Sequence, residues 1–160
     1  PDRRHAVSPA VAGEADHEDL PDEKSKRFVA IMRVGVDPGR MMNALGHMTA
    51  GLAGGHMEGK GMSFLQYKDR DGGVHPNISH FPFIVLRADN SNQIRTVRKE
   101  AQKRGIPFTD FTSTMTVGTS AEQVGRTAET PEANLDYFGI CLFGSTEELK
   151  AVTKKFSLFK

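Results

Sequence analysis

Residues 28–34 read Phe-Val-Ala-Ile-Met-Arg-Val, a short apolar run with β-branched members, which is the pattern of a buried strand. Pro38-Gly39 interrupts it, and a helical period follows. Met41, Leu45, Met48 and Leu52 recur at the spacing of one apolar stripe. Arg40, Asn43, Ala44, His47 and Gly51 fall on a second stripe. This strand, turn and helix predict an α/β domain with a polar site near a strand's carboxyl end.

The remainder of the chain continues in the same style. A glycine-rich stretch, Gly51 to Gly61, precedes a weakly alternating segment, Met62 to Lys68, that reads as a short strand. Asp69-Arg70-Asp71-Gly72-Gly73 is a turn. Val74 to Phe81, with Pro76, Asn77 and two histidines, reads as a loop before a strand at Pro82 to Arg87. Caps at Asp89, Asn90 and Ser91, a buried stripe of Ile94, Val97 and Ala101, and a closing Gly105 mark the next helix. Arg95, Arg98, Lys99, Lys103 and Arg104 fall on its outer face. Ile106 to Phe111 is extended, and Ala121 to Asn134 reads as a short helix and loop. Tyr137 to Phe143 is a second buried strand. Ser145 with Glu148 signals a capping box, and Leu149, Val152, Thr153 and Phe156 give the last helix its inward stripe. Phe156 to Lys160 is suited to an edge strand or to packing across the sheet. The sum is a single-domain mixed sheet of about four to five strands with helices on both faces.

Composition sharpens the boundaries. In 160 residues, 38% are apolar and 26% charged, as in ordinary globular domains. A net charge of +1 conceals an asymmetry, since residues 1–24 hold three Lys/Arg against seven Asp/Glu. Residues 1–25 are therefore expected to be an acidic flexible tail, and 26–160 the folded domain. The folded part is modestly basic, compatible with an anionic ligand but short of a dense nucleic-acid surface. The single cysteine, Cys141, excludes an intramolecular disulfide framework and lies in an apolar run as a core residue. No apolar run is long enough to span a membrane and no signal peptide is visible, so the expected location is cytoplasmic.

Candidate chemistry centres on His47. Arg40 precedes it by seven residues, nearly two helical turns, so a cation and a titratable imidazole share a surface roughly 10 Å apart along the axis. Asp110, followed by Thr112, Ser113 and Thr114 at the head of a hydroxyl-rich run to Ser120, supplies a carboxylate and a polar pocket wall suited to binding ribose or phosphate, or to orienting a histidine and a water. His47, His56, His75 and His80 fit no compact metal motif, so neither a metal nor a cofactor is expected. Phosphate-binding and nucleophile-elbow glycine motifs are absent.

Three segments carry a resemblance across about residues 27–160: Arg33 to Gly54 with Leu-Gly-His-Met-Thr-Ala-Gly at its centre, Asp110-Phe-Thr-Ser-Thr-Met, and Phe138-Gly-Ile-Cys-Leu-Phe-Gly through Thr153-Lys-Lys-Phe-Ser-Leu. The chain resembles the type II peptidyl-tRNA hydrolase fold, and within it looks closest to the uncharacterised family named domain of unknown function 2000. By that resemblance His47 stands at the hydrolases' helical histidine, and Asp110 with Thr112 and Thr114 at their later acidic and threonine-rich segment. Arg40 occupies the place of a lysine and Ala44 that of a glutamine, with Asn43 the nearest amide. Arginine is a permanent cation that favours bidentate anion binding, so the replacement changes the chemistry offered.

These residues support a hydrolase or acyl transferase acting on an anionic or nucleotide-like substrate, with His47 and Asp110 catalytic. Arg40, Asn43, Thr112, Ser113 and Thr114 would contact the substrate, an anionic small molecule or acylated tRNA. An active peptidyl-tRNA hydrolase and a non-catalytic ligand-binding or regulatory module are the alternatives. The Gly51 to Met62 surface is a candidate homodimer contact.

Overall fold

The computed structural model describes residues 22–56 and 61–160. The tail expected over residues 1–25 falls mostly outside the described residues, as do residues 57–60 of the glycine-rich stretch.

Strand β1, Lys26–Arg33, is the centre of a five-stranded mixed sheet. It runs parallel to β4, Phe83–Ala88, with Phe28 opposite Phe83 and Arg33 opposite Ala88. On its other side it pairs antiparallel with β6, Tyr137–Ser145. Strand β5, Phe108–Thr112, lies outside β6, and the two-residue β7, Ser157–Leu158, lies outside β4, giving the order β5-β6-β1-β4-β7. A separate hairpin joins β2, Phe64–Lys68, to β3, Val74–Ser79.

Because strand side chains alternate, β1 buries both faces. Phe28, Ala30 and Met32 point to helix α1, Pro38–Gly51, where they meet Ala44, Met48 and Leu52. Val29 and Ile31 point the other way, against Ile94, Val97 and Ala101 of α2, Ser91–Arg104, and Leu149 of α4, Thr146–Thr153. Burying side chains such as Ile94 and Leu149 contributes about 1.5–3 kcal/mol each. Helix α3, Ser120–Glu129, has no buried residue and stands apart from these two layers.

Local signals explain the helix ends. Asp37 accepts from the Arg40 backbone N–H at 3.3 Å, with Pro38 at the first turn of α1. Asn90 caps α2 through Gln93 N–H at 3.0 Å, and Gly105 closes it in the left-handed conformation at φ 66°. Ser145 accepts from Glu148 N–H at 3.2 Å. The fully reciprocal capping box is at Thr119 and Glu122, which start α3.

Two sequence expectations are corrected. Residues 74–81 are not a loop, because Val74–Ser79 forms β3; it is held by ladder bonds to β2 rather than by burial, and most of it is exposed. Ala44 is not on the polar stripe of α1 but fully buried, whereas Met41 and Leu45 are only half-buried. The helix is rotated so that the small Ala44 side chain meets the sheet beside Met48 and Leu52. Among the described residues, no helix is long and apolar enough to cross a membrane.

Candidate functional site

A cleft of about 510 Å³ opens where α1, β5, the turn after β5 and α3 converge. Asn43 and His47 line it from α1, Thr109, Asp110 and Phe111 from β5, Met115 and Thr116 from the turn, and Ser120 and Gln123 from α3. Met48 lies at its base.

Each wall is fixed by a named contact. Thr109 and Phe111 lie on the α1 side of β5, and the Thr109 hydroxyl donates to the Met48 carbonyl at 2.7 Å, tying the strand to the last turns of the helix. The exposed His47 ring lies 6.0 Å from the Phe111 ring at an interplanar angle of 31°. Beyond β5 a 3-10 turn, Ser113–Met115, is braced by hydroxyls. Thr112 and Thr114 share a bond of 2.7 Å, Thr114 and Thr127 one of 2.8 Å, and Thr127 donates to the Gln123 carbonyl at 2.8 Å. Thr116 donates to the Ser113 carbonyl at 2.7 Å, and Arg126 to that of Val117 at 2.6 Å. With no buried residue of its own, α3 is seated largely by this polar chain.

The structure brings His47, Asn43 and Asp110 to one cleft. Asp110 and His47 are nevertheless not paired. Residue alternation along β5 turns the Asp110 carboxylate toward α2, where it accepts from Arg98 Nε at 2.9 Å. Arg98 also lies 5.7 Å over the Phe108 ring. Thr112 is fully buried and, like Thr114, braces α3 instead of facing the cleft, while Ser113 bonds through its backbone to Asp136 and Thr116. Arg40 is exposed outside the cleft lining, and among the described residues its guanidinium has no partner.

Three members of the basic face expected on α2 are paired, Arg104 with Glu100 one turn away at 2.8 Å and two others with neighbouring elements. Arg98 holds Asp110, and Arg95 reaches Glu132 at 3.2 Å and the Leu135 carbonyl at 2.5 Å while lying 5.2 Å over Tyr137. Among the described residues no group of three or more His, Cys, Asp or Glu side chains is placed to hold a metal ion. His75 is on the hairpin, bonded to Asp69 at 2.9 Å, and the side chain of His56 lies outside the described residues. Burial pushes the Cys141 thiol up to about 12, which leaves it protonated and inert as a nucleophile at neutral pH. The N–H of Thr119 holds the Glu122 carboxyl below its ordinary range, keeping it ionised at the α3 cap.

Met115, Thr116 and Ser120 belong to the hydroxyl-rich run expected to form a pocket wall, whereas sequence reasoning missed Thr109 and Gln123. The Thr119-x-x-Glu122 signature was the available signal, since it starts a helix directly after the hydroxyl-rich turn and so folds that turn back over β5.

A family model described as protein of unknown function, DUF2000, matches residues 26–160. A solved structure of a protein of unknown function from Agrobacterium tumefaciens strain C58 is similar, with a TM-score of 0.73 and 18% sequence identity. The match covers 85% of this chain and 98% of that one, and at this identity it speaks for the fold alone. No curated protein matches the sequence.

Proposed function

The chain belongs to the DUF2000 family, and from that premise we propose that its cleft binds an anionic or nucleotide-like substrate and hydrolyses or transfers an acyl group. The observation that carries this reading is the convergence on one cleft of the exposed His47 imidazole, the Asn43 and Gln123 amides and the Thr116 and Ser120 hydroxyls. The order of strand, His-bearing helix, basic helix and Asp-bearing strand supports the finer reading of a type II peptidyl-tRNA hydrolase-like fold.

In the hydrolytic form, a water oxygen bonds to the acyl carbonyl carbon while His47 takes the water's proton. Amide N–H groups of Asn43 and Gln123 stabilise the charge that develops on the carbonyl oxygen. The bond to the leaving oxygen then breaks, and His47 returns the proton to it. Arg40, nearly two turns before His47 on α1, would hold a phosphate or carboxylate of the substrate through paired N–H donors. An active peptidyl-tRNA hydrolase is the narrowest form of this proposal.

The test is release of free tRNA from an N-acyl-aminoacyl-tRNA, comparing wild type with His47→Ala. Loss of about 100-fold or more in turnover is expected for removal of a proton-transfer group. Unchanged turnover would sink the assignment. The commitment of the Asp110 carboxylate to Arg98 favours a second reading, a non-catalytic ligand-binding or regulatory module, because His47 then has no orienting carboxylate from that strand. That reading predicts ligand binding that Arg40→Ala abolishes, with no substrate consumed by the wild type.

A further inference from the structure

Strand β5 ends the sheet, and the way it pairs with β6 decides what its free edge presents. In an antiparallel ladder, successive residues alternately bond to the partner strand and turn their N–H and C=O away from it. Phe143 N–H donates to the Pro107 carbonyl at 3.2 Å, one step before the Phe108–Leu142 pair of the register. The inward-bonding residues are therefore Pro107, Thr109 and Phe111, and those that face outward are Phe108 and Asp110. Among the described residues, no strand lies beyond β5 and neither Phe108 nor Asp110 makes a backbone–backbone bond outside the β5–β6 ladder. The two outward positions lie about 7 Å apart, the repeat of an extended chain.

We propose that this edge, where β5 lines the cleft, binds an extended peptide segment as an added strand. The occupant is set by what surrounds it. A gap of about 510 Å³ flanked by α1 and α3 admits a single chain and not the sheet of a second copy. Its walls are mostly uncharged, and Arg98 neutralises Asp110. Phe111 and Met115 offer apolar contact on the α1 side, so the fitting peptide carries apolar side chains at every second position. The inference uses the cleft proposed above but not its acyl chemistry.

The probe is an N-acetylated four-residue peptide amide alternating valine and alanine, followed by NMR and amide hydrogen exchange on the full chain. Binding is expected to slow exchange at the Phe108 and Asp110 amides by about tenfold or more at saturation. A depsipeptide with esters in place of alternate amides lacks N–H donors, and should bind about 3- to 10-fold more weakly to the wild type. Asp110→Pro removes an outward N–H, which an edge strand tolerates, and should weaken binding to the same degree, whereas Asp110→Asn should bind as the wild type does. Equal binding of peptide and depsipeptide, equal loss in Asp110→Pro and Asp110→Asn, or no protection at Phe108 and Asp110 would each overturn the proposal. So would concentration-dependent protection of those amides without peptide, which would assign the edge to a second copy. Protection of the Phe108 and Asp110 amides is read without any substrate turnover, so failure of the acyl chemistry and failure of this surface are read separately.

Discussion

Substituting Gly139 tests how α1 is seated on the sheet. Gly139 lies on β6 opposite Met32 of β1, and a Cβ there would stand 2.7 Å from Met32 Sδ, 2.9 Å from Met48 Cε and 3.0 Å from Met32 Cε. Ordinary contacts between such atoms need about 3.5–4.0 Å, so both methionines must withdraw by roughly 1 Å. They are the flexible ends of side chains, but Met32 is fully buried and Met48 only 2% exposed, which leaves them little room. Overpacking of this kind costs about 1–3 kcal/mol, and the lower chain entropy of alanine in the unfolded state offsets about 0.4–1 kcal/mol. Gly139→Ala is therefore expected to destabilise by about 1–2 kcal/mol, measured as a lower urea midpoint at unchanged slope. Met32→Leu in the same chain shortens the obstructing side chain and should recover part of the loss, because contacting residues are not additive. An unchanged or raised midpoint in Gly139→Ala would refute the close seating. Met48 is the neighbour of His47, so the single variant should also weaken ligand binding.

Further expectations concern the Arg98–Asp110 pair, the core thiol and the cap of α3. A double-mutant cycle of Arg98→Met and Asp110→Asn should give a coupling of about 1–2 kcal/mol, between exposed and buried pairs, since the side chains are 25% and 17% exposed; coupling under about 0.3 kcal/mol would mean that the bond holds nothing in place. Burial raises the Cys141 thiol from 9.0 to about 12, so the folded state keeps a proton that the unfolded state releases; stability should be full below about pH 9 and fall as pH rises from 9 toward 12, a slope that Cys141→Ala reduces, the remainder including the Tyr137 hydroxyl that burial also raises. At pH 8 iodoacetamide should label Cys141 only after denaturation, and rapid labelling of the native chain would contradict its burial. Thr119→Ala should cost about 1 kcal/mol, detected as faster amide exchange confined to α3 and the cleft turn, because α3 has no buried residue to couple it to global unfolding.

What the sequence disclosed follows from where burial writes a periodic signal. β1, β6 and α2 carry apolar runs or stripes that are buried as expected, β4 is a strand as its run suggests although only Leu86 and Ala88 are buried and Phe83 is exposed, and the α2 caps lie where Asn90 and Gly105 place them. β3 left no such signal, since Pro76, Asn77 and His75 sit in a strand that is mostly exposed and held by backbone pairing. The face of α1 was misread because alanine is ambiguous by hydropathy, and only the packed sheet shows Ala44 fully buried. His47 was legible from its stripe. The direction of Asp110 was also contained in the strand period, because a buried Phe111 toward α1 requires its predecessor to turn toward α2. The cleft wall from Thr116 to Gln123 depends on a fold-back that no local apolar pattern records.

The position of β1 in the sheet has a consequence for how the molecule comes into being. Its partners come from far along the chain: β4 follows a helix and a hairpin, and β6 pairs Lys26 with Ser145. Such non-local closure makes for slow folding, and during vectorial synthesis β1 emerges long before β6 can flank it. For that interval the Phe28 to Met32 segment, uncharged and apolar, is a strand with two open edges and a strong tendency to self-associate. Expression yield should therefore respond more to chaperone supply and translation rate than native stability would suggest, and neutralising the flanking Lys26, Arg27 and Arg33 should deepen the dependence.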